Sequence, residues 1–321
     1  METVPRADPF VFRPEDFSFH SRAFLKIQDG CNQGCSFCRS VLARGKSRSL
    51  NADEALERLR ALEEGGFAEA VITGLNIGQY RDPGRGLDLG GLLRFLLEGT
   101  ARITLRLSAL EPDGLGGGFF ELLSNRRIRP HFHLSVQSGS QAVLNRMGRR
   151  YSPADIEALT AEFRRLKDDP FLAADIIAGF PGETPEDFKA TLELCERTGF
   201  AWIHAFPYSP RPGTPAYDFG GRVGNGEAAS RVEALLDLAR RGRAVYIGRW
   251  LGRTVEAVVR AGGLPPGFDA AVSENYLNLL LRREPGEGPL RPGARLRCRI
   301  APLPELPGAG RFDAAGLACV C

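Results

Sequence analysis

The sequence predicts an α/β fold: an open, partial (β/α)6 barrel followed by a small all-β barrel. Two patterns carry this expectation. After residue 22, short apolar runs alternate six times with amphipathic segments, which points to a parallel sheet with right-handed crossovers. Beyond residue 243, short β-rich runs are separated by Gly/Pro-rich stretches, as in a small barrel. A length of 321 residues accommodates one large and one small domain. The expected boundaries are a leader or linker over 1–21, the α/β domain over 22–243 and the β domain over 244–321.

The strand candidates are Ala23–Gln28, Glu69–Thr73, Arg102–Ala109, His131–Val136, Leu172–Ala178 and Trp202–Pro207. Between them lie helix candidates Ala52–Glu64, Leu89–Leu97, Phe119–Ser124, Ser140–Arg146, Pro153–Lys167 and Pro185–Thr198. In the first of these helices Ala55, Leu56, Leu59 and Leu62 recur at helical spacing. Six units are too few to close an eight-stranded barrel, so an open one is expected. A polar helix over about Glu227–Arg243 leads away from this domain. The β domain reads as strands Thr254–Arg260, Phe268–Ser273, Tyr276–Leu281 and Arg295–Ile300, with turns at 262–267 and 284–289.

Composition narrows the function classes. The apolar and charged fractions, 43% and 25%, are those of an ordinary globular protein. No run approaches the ~18 apolar residues of a membrane span, and residues 1–16 hold no signal-peptide core. Seven cysteines, three of them on one loop, point to a reducing cytoplasm. Lysine is scarce, so arginine carries most of the positive charge. Residues 244–321 hold ten arginines against seven acidic residues, a net of +3 that equals the formal charge of the whole chain. Arg282, Arg283, Arg295, Arg297 and Arg299 form a candidate phosphate-facing stripe, although a solvated barrel face would look similar.

The chemistry begins at Cys31, Cys35 and Cys38, spaced C-x3-C-x2-C directly after the first strand. Three thiolates on one loop can hold three irons of a 4Fe–4S cluster and leave the fourth iron open to a small molecule. A zinc site would need a fourth ligand, which neither His20 nor a later Cys-x2-Cys pair supplies, and a disulfide would need an oxidising compartment. The other unusual local sequences fall at strand ends, where barrels of this kind gather their active sites. They are Thr73-Gly74, Glu111, Gln137-Ser138, Gly179-Phe180-Pro181-Gly182 and Tyr208-Ser209-Pro210. Taken singly, Glu111 reads as a solvated loop residue and Arg149 as an exposed arginine, while the Gly179 stretch fits either a cradle for an adenine edge or a tight strand-to-helix turn. Cys195 reads as a core residue, and Cys319-Val320-Cys321 as a strand end or frayed tail.

In order along the chain, these segments resemble the radical S-adenosylmethionine (SAM) methylthiotransferases, from about residue 22 to the end. The resemblance is carried by Asp29-Gly30-Cys31-Asn32, Ala43-Arg44-Gly45, Gln137-Ser138-Gly139-Ser140, Met147-x-Arg149-x-Tyr151, Gly179-Phe180-Pro181-Gly182-Glu183-Thr184 and Tyr208-Ser209-Pro210-Arg211-Pro212-Gly213. It is closest to members acting on threonylcarbamoyladenosine in tRNA. The terminal domain is similar to the RNA-binding TRAM domain, with its best local match at Ser273-Glu274-Asn275-Tyr276-Leu277. One departure is Ser40-Val41-Leu42, where the family usually has Ile-Pro-Tyr.

This resemblance implies a radical SAM barrel and a TRAM-like barrel, with one 4Fe–4S cluster and S-adenosyl-L-methionine as cofactors. The implied activity is methylthiolation at C2 of N6-threonylcarbamoyladenosine 37. It implies Cys31, Cys35 and Cys38 as cluster ligands, Phe37 against adenine, Thr73 and Gly74 at the methionine end, and Glu111 and Gln137 on the ribose side. Arg149 is the implied partner of the SAM carboxylate, with Gly179 and Tyr208 as further cofactor contacts. The implied partners are a tRNA anticodon stem-loop and a one-electron reductant such as flavodoxin or ferredoxin. Members of the family carry an N-terminal domain of roughly a hundred residues with a second three-cysteine cluster. Its absence here leads to the expectation of a truncated or split form, with a separate cysteine-bearing subunit. A radical SAM enzyme acting on a ribosomal-protein aspartate or another RNA base, and a non-catalytic RNA-binding remnant, are the alternatives.

Overall fold

In the computed structural model, residues 8–11, 22–261, 267–283, 288–304 and 312–319 are described. The chain opens with β1 (Ala23–Lys26), β2 (Gln28–Asp29), α1 (Ser40–Arg44), β3 (Arg48–Ser49) and α2 (Ala52–Glu64). It continues through β4 (Glu69–Thr73), α3 (Leu89–Gly99), β5 (Thr104–Leu107), α4 (Gly117–Leu123), β6 (His131–Gln137) and α5 (Gln141–Met147). Then come α6 (Pro153–Leu166), β7 (Phe171–Ala178), α7 (Pro185–Thr198), β8 (Trp202–Pro207) and α8 (Asn225–Trp250). Parallel pairing gives two sheets, β1-β4-β5 and β6-β7-β8, linked by the bridges Leu105–Ile128 and Leu110–Leu134. The result is the expected open six-stranded half-barrel.

Local sequence explains the helices. Asn51 caps α2 by accepting from the Asp53 amide, and the expected Ala55, Leu56, Leu59 and Leu62 are buried. Helices α6 and α7 both start with a proline at the first position and a reciprocal capping box, Ser152 with Asp155 and Thr184 with Asp187. Strand alternation then separates two environments. On β6, Phe132, Leu134 and Val136 are buried in the core cluster that includes helix residues, while His131, His133 and Gln137 occupy the other, inward face.

The second domain is a closed five-stranded barrel in the order β10-β11-β13-β12-β9: β9 (Thr254–Arg260), β10 (Phe268–Ser273), β11 (Asn278–Arg282), β12 (Arg295–Ala301) and β13 (Ala314–Cys319). Two expectations are corrected. The third strand starts at Asn278 and not at Tyr276, which has a left-handed backbone with φ 65°. The fifth strand comes from a tail of small residues, where Gly316 lets β11 and β12 approach: a Cβ there would lie 2.4 Å from Leu281 and 3.2 Å from the Cys298 sulfur. Cys195 and Cys298 are both buried. The backbone of Cys319 lies in β13, while Cys321, His20, most of the leader and the turns at 262–266 and 284–287 lie outside the described residues. Within the leader segment, the Phe10 carbonyl accepts a hydrogen bond from Arg58 of α2.

Helix α8 is longer than the sequence suggests and runs unbroken through residue 243 to Trp250. Its last turns place Tyr246 and Trp250 in the core of the small barrel, together with Phe171 and Ala173 of β7. The small barrel therefore docks where the α/β strands begin. At that junction Glu69 is fully buried between Arg106 (2.7 Å) and Arg129 (3.0 Å), and Arg106 also donates to the Ser273 carbonyl of β10. Burial would raise the Glu69 carboxyl, but the two guanidinium groups bring it down to about 2. The arginine stripe is only partly open. Arg295 donates to the carbonyls of Ala68 and Arg102, Arg299 to that of Gly252, and Arg283 pairs with Asp269. Arg282 and Arg297 are exposed. No described helix is long and apolar enough to cross a membrane.

Candidate active site

The three-cysteine loop hangs on a short anchor. Asp29 of β2 is buried and bridged by Lys26 and Arg44, each at 2.9 Å. Burial would raise its carboxyl, yet these cations hold it below its ordinary value. Gly30 follows with φ 74°, and a Cβ there would sit 2.1 Å from the Lys46 carbonyl, so the turn admits glycine alone. The Gln28 side chain ties the loop to the next strand end. Its amide donates to the Gly30 carbonyl (2.6 Å) and the Ser47 hydroxyl (2.8 Å), and its oxygen accepts from the Asn76 amide (2.8 Å). Farther along, the Ser36 hydroxyl donates to the Arg146 carbonyl and the Ser36 amide to the Met147 carbonyl, fastening the loop to the end of α5.

Cys31, Cys35 and Cys38 are partly exposed and unbridged. Two backbone amides point at sulfur: Gln33 donates to Cys31 Sγ and Ser40 to Cys38 Sγ, each at 3.4 Å. Such donors stabilise thiolates and tune iron–sulfur centres. Burial pushes the Cys35 thiol up to about 11, against the pull of the Arg149 guanidinium. Iron binding replaces that proton. Among the described residues no three His, Cys, Asp or Glu side chains form a single-ion site. The donor set and its amides fit a 4Fe–4S cluster.

Beside the loop, Arg149 pairs with Glu111, their side chains only 3% and 13% exposed. The Arg149 guanidinium lies 5.7 Å from the Phe37 ring, and its Nε–H is buried without a partner. Asn76 Oδ1 and Ser108 Oγ, at neighbouring strand ends, are also buried and unpartnered among the described residues. Native interiors seldom tolerate such orphans, so a polar ligand at this end of the barrel fits them. Burial raises the Glu111 carboxyl, with Arg149 opposing.

Phe37, Gln137, Asp175, Phe206 and Tyr208 line a cleft of about 440 Å³, within the range of small-molecule sites. Gln137 sits in the left-handed region at φ 65°, a strained position of the kind found at binding sites. The structure thus gathers Phe37, Gln137 and Tyr208 at one cleft and joins Glu111 to Arg149 beside Phe37. Thr73 and Gly74 end β4 against Gln28; a Cβ on Gly74 would meet the Gln28 carbonyl at 2.8 Å. Gly179 behaves as the tight turn: at φ 74° its amide donates to Glu183, which is clamped by Arg231. Sequence reasoning gave no role to Gln28, Ser36 or Asp175. Asp175 had a legible signal, a carboxylate interrupting an apolar strand.

Residues 25–195 match the model of the radical SAM superfamily. The threonylcarbamoyladenosine tRNA methylthiotransferase of Treponema pallidum is 42% identical over 92% of this chain and 59% of its own length. The tRNA-2-methylthio-N(6)-dimethylallyladenosine synthase of Cereibacter sphaeroides is 33% identical over 92% of this chain and 67% of its own. The chain therefore spans about three fifths of the first relative and two thirds of the second. Among solved structures, the radical SAM methyltransferase TsrM of Kitasatospora setae superimposes with a TM-score of 0.52 at 18% identity, covering 63% of this chain and 39% of that one. At that identity the likeness is one of fold.

Proposed function

The chain belongs to the radical SAM superfamily, and from that premise we propose that it modifies tRNA by adding a methylthio group at C2 of N6-threonylcarbamoyladenosine 37. One observation carries the chemistry. A thiol triad with amide donors on its sulfurs adjoins a buried Arg–Glu pair and an aromatic cleft. The 42% identity to a threonylcarbamoyladenosine enzyme supports the choice of substrate.

When bound, the cluster and SAM supply a 5′-deoxyadenosyl radical that takes hydrogen from a C–H bond. The residues of the chain bind, orient and exclude water. Cys31, Cys35 and Cys38 would hold three irons, with Gln28 and Gly30 fixing the loop. Arg149 would offer the SAM carboxylate N–H donors that Glu111 does not engage, and Glu111 balances part of its charge so that the guanidinium stays oriented. Thr73 and Gly74, packed against Gln28, would face the methionine end. Phe37 and Tyr208 give flat walls for rings. The exposed Arg282 and Arg297 would meet phosphate. This reading expects a one-electron reductant such as flavodoxin or ferredoxin.

Anaerobic reconstitution tests it directly. The protein should bind about four irons and release 5′-deoxyadenosine from SAM on reduction, and Cys35→Ala should lose both. Nucleosides from a deletion strain should lack the methylthio form of threonylcarbamoyladenosine. No 5′-deoxyadenosine from well-loaded protein would overturn the enzyme reading. An unchanged nucleoside profile would overturn the substrate.

A further inference from the structure

A second cavity, about 420 Å³, lies inside the half-barrel on the small-domain side of the cleft, and the mechanism above leaves it unused. His131 and His133 of β6, Trp202 and His204 of β8, Arg243 of α8 and Tyr276 of the small barrel are among its walls. Three of the chain's four histidines therefore face one space. A polar pair joins the cavity's lining to that of the cleft: His133 Nε2 lies 2.8 Å from Oδ1 of Asp175, which itself lines the cleft. The His133 and His204 rings stack at 4.9 Å.

What the walls lack is as informative as what they hold. Barrel interiors are usually filled by layers of Val, Ile and Leu. Here the only aliphatic side chain in the lining is Ala173, and the remainder are imidazoles, aromatic rings, a guanidinium, an amide and a carboxylate. Arg243 is paired with Asp313 (2.8 Å) and lies 4.6 Å from the Phe171 ring, so it is held in place. Burial keeps the imidazoles of His131 and His204 below their ordinary range. A neutral imidazole offers one donor and one acceptor. Such a space suits a ligand with hydroxyl and amide groups and suits a branched hydrocarbon poorly.

On adenine, C2 and the N6-bearing carbon leave the six-membered ring in diverging directions. A base that offers C2 to the cleft must send its N6 substituent elsewhere. We propose that this histidine-lined cavity receives the N6 substituent of the target adenosine and selects a polar, hydrogen-bonding urea over an aliphatic chain. His133 and His204 are the specificity-determining residues. The inference rests on the tRNA reading above and adds to it the site that distinguishes the two substrates named for its relatives.

The test uses the full chain and three RNA stem-loops, identical except at one adenosine: unmodified, N6-threonylcarbamoyl or N6-dimethylallyl. Binding is followed by fluorescence anisotropy without SAM. The threonylcarbamoyl stem-loop should bind about tenfold more tightly than the unmodified one, or ~1.4 kcal/mol, and the dimethylallyl form should gain nothing. His133→Phe and His204→Phe keep a ring of similar size but remove its hydrogen-bonding atoms. Each should bring the threonylcarbamoyl-to-unmodified affinity ratio toward one. Equal binding of all three stem-loops, a preference for dimethylallyl, or variants that keep the wild-type ratio would each overturn the proposal while leaving tRNA binding intact. No binding to any stem-loop would overturn both the proposal and the tRNA reading.

Discussion

The sharpest demands on single residues fall in the cysteine loop. At Gly30 a left-handed backbone coincides with a carbonyl 2.1 Å from any added Cβ. Gly30→Ala should therefore displace the loop and cut iron loading severalfold after reconstitution, while far-UV circular dichroism stays near wild type. Arg149 and Glu111 make a second demand, because removing one partner strands a buried charge. Arg149→Gln should weaken SAM binding about tenfold or more and lower unfolding stability by about 3 kcal/mol, read by equilibrium dialysis and urea titration. Unchanged SAM affinity in that variant would remove Arg149 from the cofactor site. The three thiols were fully legible from their spacing. The pairing of Arg149 with Glu111 was not, because 38 residues separate them and only the return of β6 and α5 brings them together.

At the scale of elements, helices announced themselves more clearly than strands. The prolines and capping boxes of α6 and α7 mark their starts in sequence, and Thr184→Ala should cost about 1 kcal/mol in urea unfolding. The fifth strand of the small barrel passed unread because Ala314-Ala315-Gly316-Leu317-Ala318-Cys319 lacks the β-branched and aromatic residues that signal strands. It exists because tertiary packing wants small side chains there. The histidine-lined cavity shows a different limit. Alternation tells which residues of one strand share a face, but register decides their depth. His204 reaches the level of Asp175 through the β7–β8 pairing, while His133 pairs two residues lower, with Ala173.

For the whole molecule, the junction between domains is electrostatic as well as apolar. The carboxyl of Glu69 is held at about 2 in the fold and titrates near 4.5 when free. Its stabilisation is therefore complete above pH 4.5 and lost as pH falls toward 2, a contribution of about 3 kcal/mol by linkage. Glu69→Gln should lower stability at neutral pH by a similar amount and flatten the acid limb of the stability curve, followed by tryptophan fluorescence at Trp202 and Trp250. An acid limb as steep as wild type in that variant would place the titration elsewhere.

The strands set a distance as well as a shape. The small barrel docks where they begin and the cysteine loop sits where they end, and β7 alone has eight residues, roughly 26 Å of extended chain. An RNA that reaches from the cysteine loop to the exposed Arg282 and Arg297 on the outside of the small barrel must be at least that long, which is several nucleotides. Fragments below that footprint would engage one end at a time, so affinity should rise in a step, and not smoothly, as RNA length passes it.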